Sequence, residues 1–258
     1  MKPKLIVFVV ALLIVAMVPA LAMAKGQAKP EQMVKLVLDM RQPLGPQLDA
    51  QLGVTSRGPR AVNAPAAMAT RGAGGIRPNA VYALLNEGFE MPDWPGGAPG
   101  WLFVEAGTST VGWDATDIVR KRGQQSLYSA GYDNDPQVNP FYENDMESLA
   151  FYEMDLQGAR RVQVRFQYMS DTEFGYDYFL WCSTTDGFIF NCYGQTGSTN
   201  GKWRLVQLDS RTDPTLQALL DQPFAYYGFV FLSDGSVVDR GTFVDAMRIR
   251  AWGPSPIQ

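Results

Sequence analysis

The chain has 258 residues and no histidine. That absence removes Ser-His-Asp and Cys-His catalysis, which need an imidazole base. It also removes the HExxH zinc motif, which needs two imidazoles one helical turn apart. Only two cysteines are present, Cys182 and Cys192, too few to complete a tetrahedral zinc site by themselves. Charged residues make up 19% of the chain and sum to a net of −4. Basic residues are sparse, so nucleic acid is not an expected partner. No long amphipathic helical pattern occurs beyond residue 81, which leaves sheets as the means of burying apolar side chains there.

What is present falls into three segments. Lys2 and Lys4 precede an apolar run from Leu5 to Ala24 that closes on Ala22-Met23-Ala24. This reads as an export signal over residues 1–24, cut before Lys25, with an uncleaved membrane anchor as the alternative. On either reading the remainder is secreted or in the cell envelope, and it meets a membrane only through an uncleaved signal segment. Residues 25–80 read as a low-complexity tether. Residues 25–85 carry eight Lys and Arg against three Asp and Glu, and RGPRAVNAPAAMATRGAGGIRP has too little apolar material to fold alone. Within the tether, EQMVKLVLDM spaces Met33, Val34, Leu36, Val37 and Met40 as a short amphipathic helix would over residues 31–40. Residues 86–258 reverse the balance, with twelve Lys and Arg against twenty-three Asp and Glu, a net of −11.

From Val81 the pattern becomes one of short strands. RVQVRFQYM (161–169) alternates polar and apolar residues with period two, as a half-buried strand does. DYFLWCS, FIFNCYG, WRLVQLD, YYGFVFLSD and FVDAMRIRAW follow, separated by the turn formers TTDG, QTGSTNG and SDGSVVDRG. SLYS (126–129) and MESLAFYEMDL (146–156) add two strands, and TLQALLD (215–221) one helical turn. The expected fold is a single all-β domain over residues 81–258, an antiparallel sandwich. Cys182 and Cys192 flank STTDGFIFN, on neighbouring strands of a tight hairpin where an oxidising compartment would join them. The alternative is a pair of buried thiols.

The ordered series NEGFE, PGW, Trp113, GQQSLYSAG, YENDMESLAFYEMDLQGA, VRFQYMSDTEFGYDYF, STTDGF, Trp203 with LVQLD, FVFLSDGSV and GTFVDAMRI resembles a jelly-roll β-sandwich module. That module accompanies secreted metallopeptidases of the immune inhibitor A type and is akin to galactose-binding, MAM-like and cleaved-adhesin jelly rolls. The resemblance spans residues 86–252 and implies an accessory domain for adhesion or substrate binding, often with a structural calcium ion and without chemistry of its own. Related modules place calcium where the first and last strands meet. The matching positions here are Glu90 in GFE and Asp245 in FVDAM. The second acid of the usual pair is replaced by Ala246, for which Asp239 or a backbone carbonyl is the expected substitute.

The residues offer two further chemistries. Glu153 and Asp155 stand two apart on an expected strand and so share a face, the one carboxylate pair a glycosidase could use; the third acid of a laminarinase-like pattern would fall at Gly158. For sugar stacking, Trp94 in the loop MPDWPGG is the foremost exposed aromatic, with Trp181 and Tyr193 behind it. The acidic stretches YDNDPQVNPFYENDMES and SDTEFGYD lack the EF-hand order and read as solvated loops. Together these features describe an exported, non-catalytic module for adhesion or recognition, binding an extracellular protein or polysaccharide. A glycan-binding module is the alternative, with a carboxylate glycosidase behind it.

Overall fold

A computed structural model describes residues 32–42, 44–52, 76–90, 99–132 and 134–256. The segment read as an export signal lies outside these residues. In chain order the elements are β1 (Gln32–Asp39), α1 (Leu44–Leu52), β2 (Ile76–Glu87), β3 (Trp101–Glu105), β4 (Gly112–Thr116), β5 (Ser126–Tyr132) and β6 (Glu147–Met154). They continue with β7 (Arg161–Asp171), β8 (Tyr178–Thr184), β9 (Ile189–Thr196), β10 (Arg204–Asp209), α2 (Pro214–Gln217), β11 (Ala225–Leu232) and β12 (Gly241–Pro256).

Every strand pairing is antiparallel. The first sheet runs β1-β9-β8-β11-β6-β3, and the second runs β10-β7-β12-β5-β4 with β2 also on β12. The expected all-β antiparallel sandwich is therefore what the chain forms. β12 is long enough to border two strands placed end to end: Phe243 and Val244 pair with β5, and Met247 to Pro256 pair with β2. Between these halves the register against β7 breaks from Asp245 to Arg248, and Ala246 takes a φ of 54°. Such a bulge turns two successive stretches of one strand to different purposes.

The sheets meet on an aromatic core. Phe166 and Phe229 pack edge to face at 5.1 Å, Trp113 lies 6.0 Å from Phe229, and the Trp113 indole N–H donates to the Ser148 carbonyl at 3.1 Å. NEGFE proves to be the end of β2 rather than a first strand: the strand closes at Glu87, whose carboxylate accepts the Phe89 N–H at 2.7 Å, and Phe89 turns fully into the core. β3 and β4 are strands that residue patterning did not single out.

A second core lies on the outer side of the first sheet. β8 and β11 are buried along their whole lengths, so both faces of their strands need cover. β1 and α1 provide it: Leu36, Leu38, Met40, Leu44 and Leu48 pack against Leu149, Phe151, Leu180, Phe190 and Val230. The helix expected over 31–40 is thus corrected to a strand, β1, followed by a helix at 44–52. The reason is periodicity. Leu36, Leu38 and Met40 recur every second residue and pair with β9, whereas Leu44 and Leu48 stand one helical turn apart. α1 also shields the free edge of β1. The Gln51 amide donates to the Val37 carbonyl at 2.6 Å and accepts its N–H at 2.9 Å, and Gln47 does the same for Asp39 at 2.8 and 2.6 Å. A sheet edge blocked in this way cannot recruit another chain.

Candidate functional site

Glu90 and Asp245, expected as calcium ligands, do converge, and they converge on one loop. Asp245 is fully buried at the β12 bulge, where its Oδ2 accepts the backbone N–H groups of Lys121 and Arg122, each at 2.7 Å, and its Oδ1 accepts that of Ala246. Glu90 receives the Gln124 N–H on both oxygens, at 3.0 and 2.9 Å. Burial pushes the Asp245 carboxyl up, the three N–H donors oppose this, and the neighbouring Glu90 charge adds to the rise. Calcium takes six to eight oxygens at close range. Here the loop turns N–H groups to the two acids, and each of their four oxygens already accepts at least one. These contacts make a carboxylate clamp on the loop. Asp239 does not join it. Its carboxyl lies beside Asp171 instead, and burial together with that neighbour raises it.

The expected stacking aromatics are placed elsewhere. Trp181 is 2% exposed and packs between Phe166, Tyr168 and Phe179, at 5.6 to 5.7 Å, so it belongs to the inter-sheet core and offers no face to a sugar. Tyr193 is half-buried against that core, and the Lys35 ammonium stands 5.3 Å from its ring centre. Trp94 lies outside the described residues. Cys182 and Cys192 are directly opposite on β8 and β9 and form a disulfide, buried in the outer core of the first sheet.

The outer face of the second sheet is built differently. β7 points Val162, Val164 and Phe166 inward and Arg161, Gln163, Arg165 and Gln167 outward. β12 does likewise, with Ile249 and Ala251 inward and Arg248, Arg250 and Trp252 outward. Arg165 stands directly opposite Arg248, and Gln163 opposite Arg250. β10 adds Gln207 beside Arg165, and β2 adds Asn86 beside Arg248. These rows enclose adjoining depressions of about 150, 70 and 330 Å³, joined through Arg165, Arg248 and Arg250. The Arg122 side chain reaches the 70 Å³ depression from the clamped loop, so Glu90 and Asp245 fix the chain that carries it. Asp209 is the acid on this face, and it is already engaged. Arg161 binds it at 2.5 Å, Gln163 at 2.8 Å and Arg211 at 3.3 Å, and these contacts, that of Arg161 foremost, hold its carboxyl well below the usual range. Among the described residues no carboxylate lies within ion-pair distance of Arg122, Arg165, Arg248 or Arg250.

Two other acidic arrangements lie outside this face. β6 ends at Met154, so the same-face rule for Glu153 and Asp155 stops between them: Glu153 faces Tyr226 across the sheet, while Asp155 caps the Gln157 N–H and lies near Tyr82. At one end of the sandwich Glu173, Asp177 and Asp234 bring carboxylate oxygens within 4.8 Å of one another, a convergence that no spacing in the chain announces. Their oxygens accept from local donors: the Tyr142 hydroxyl and the Asp234 N–H on Asp177, and the Ser236 hydroxyl on both Glu173 and Asp234. The cluster ties loops together.

The geometry defines an antiparallel β-sandwich with one open, arginine-bearing outer face. No protein-family model matches the chain, and no curated protein does. Solved structures similar to it include the K3 cleaved adhesin domain of Lys-gingipain from Porphyromonas gingivalis, with 11% identity over 65% of this chain and 99% of that domain and a TM-score of 0.44. TmCBM61, solved in complex with β-1,4-galactotriose, has 9% identity, 63% and 92% coverage and a TM-score of 0.42. The CBM22-1 xylan-binding domain of Xyn10C from Paenibacillus barcinonensis has 15% identity, 71% and 97% coverage and a TM-score of 0.39.

Proposed function

We propose that the protein is an exported, non-catalytic recognition module that holds a polysaccharide on the outer face of its second sheet. The observation that carries this reading is the asymmetry of the sandwich: the outer face of the first sheet is covered by β1 and α1, and that of the second is open along β10, β7 and the second half of β12, with depressions walled by long polar side chains. Gln163, Gln167, Gln207 and Asn86 offer amide donors and acceptors of the kind that read sugar hydroxyls. Export rests on the signal-like segment and agrees with a disulfide, which persists in oxidising compartments. Kinship with the accessory domains of immune inhibitor A type peptidases, and a role in adhesion, belong to the same reading. Incubating the purified protein with a panel of polysaccharides tests it. Retention on at least one of them with no release of reducing ends is expected; turnover that Glu153→Gln abolishes, or retention on none, overturns it.

A further inference from the structure

We infer that the open face takes an acidic polysaccharide, its carboxylate or sulfate groups held by Arg122, Arg165, Arg248 and Arg250. This rests on the recognition reading above and names its ligand class. Four guanidinium groups gather at one set of depressions in a region whose net charge is −11, and no carboxylate of the described residues answers them. Arg165 and Arg248 are also direct cross-strand neighbours. Like charges so placed destabilise a sheet unless an anion lies between them. The fold carries that repulsion at its most open surface, where local rules are broken for binding rather than for stability.

The chemistry of the other groups narrows the ligand. A guanidinium matches a carboxylate or a sulfate with two parallel hydrogen bonds, and the flanking Gln and Asn amides suit the hydroxyls between such groups. A neutral glycan would need a bare aromatic platform. Trp252, the aromatic that β12 turns to this face, is covered by the Arg161 guanidinium at 4.2 Å from its ring centre. Single-stranded nucleic acid also binds by base stacking, and it meets the same covered ring. The chain's own linking segment cannot be the occupant, since residues 53–75 contain three arginines and no acid.

Affinity electrophoresis of the full protein in gels containing polygalacturonate, dextran sulfate, neutral xylan or single-stranded DNA tests the inference, alongside Arg165→Gln, Arg248→Gln, and Arg165→Lys with Arg248→Lys. Retardation by polygalacturonate or dextran sulfate is expected, weakening as salt rises because exposed charges are screened within about 8 Å at 0.15 M. Each Gln variant should lose about tenfold or more in affinity with an unchanged melting temperature. The Lys variant should keep the salt dependence and lose affinity, because a point charge lacks the paired donors. Retardation by xylan that the Arg variants leave intact overturns this inference and leaves the recognition reading standing. Retardation by DNA in place of the acidic glycans overturns both, as does retardation by none.

Discussion

The first sheet hides its outer face under β1 and α1, whereas the second leaves the outer side of β10, β7 and the second half of β12 to water, although both sheets lend their inner faces to the same aromatic core. The difference begins in the strands. β8 and β11 place apolar residues at positions of both parities, so a two-layer sandwich would leave one row exposed, and a third layer covers it. Over Arg161–Gln167 of β7 and Arg248–Trp252 of β12 the residues alternate, and the outward row is mostly Arg and Gln, with Trp252 lying under the Arg161 guanidinium. Equal positions in one architecture thus become a buried seam on one side and an open, arginine-bearing surface on the other.

Breaking the covered side should have the largest effect. Leu38→Ala and Leu48→Ala each empty a fully buried position between the first sheet and its cover, and each is expected to cost about 2–5 kcal/mol in urea unfolding. Next comes Glu105, a carboxyl largely buried at the end of β3, where it accepts the Ser148 hydroxyl at 2.9 Å. Burial pushes its pKa up to about 8 from the ordinary 4.5 of a glutamate. The folded state therefore holds a proton that the unfolded state releases, and the stability this group contributes is full below its unfolded pKa and falls as pH rises through its folded one. Glu105→Gln should leave the melting temperature almost unchanged near the lower value and raise it above the upper one, flattening the profile between them; equal shifts at both ends would contradict this. On the open side Arg165→Gln and Arg248→Gln should move stability by no more than about 0.5 kcal/mol, and upward if at all, since each removes a like-charge neighbour. Smallest of all, melts in calcium and in EDTA should superimpose, because the oxygens of Glu90 and Asp245 are occupied by loop N–H groups; a rise in calcium would restore the ion.

Much of the sandwich could be read along the chain, because alternation within a strand is a local property. RVQVRFQ announced β7 and which of its residues face inward, and the two cysteines of one hairpin met as their spacing predicted. The reading failed where two periods overlap. VKLVLDM satisfies a helical and a strand pattern alike over so few residues, and only the partner β9 chose between them. It failed again for Trp181, a core ring whose depth depends on the opposing sheet. For the candidate site, Arg165 and Arg248 were visible as outward residues of separate strands, but the register that sets them opposite one another was not. Glu90 follows β2 and Asp245 sits at the β12 bulge, and that one loop donates N–H groups to both was not visible in the chain.

By itself the amino-acid sequence determined that this chain builds sheets, cannot run imidazole chemistry, and joins its two cysteines across one turn, since each follows from residue type and near neighbours. Only the tertiary structure decided that β1 and α1 seal one face, that a β12 bulge buries Asp245 while turning Arg248 outward, and that four arginines with no acidic partner among the described residues share one surface. Those outcomes depend on strand register and on contacts across more than a hundred residues of chain, which local pattern does not encode.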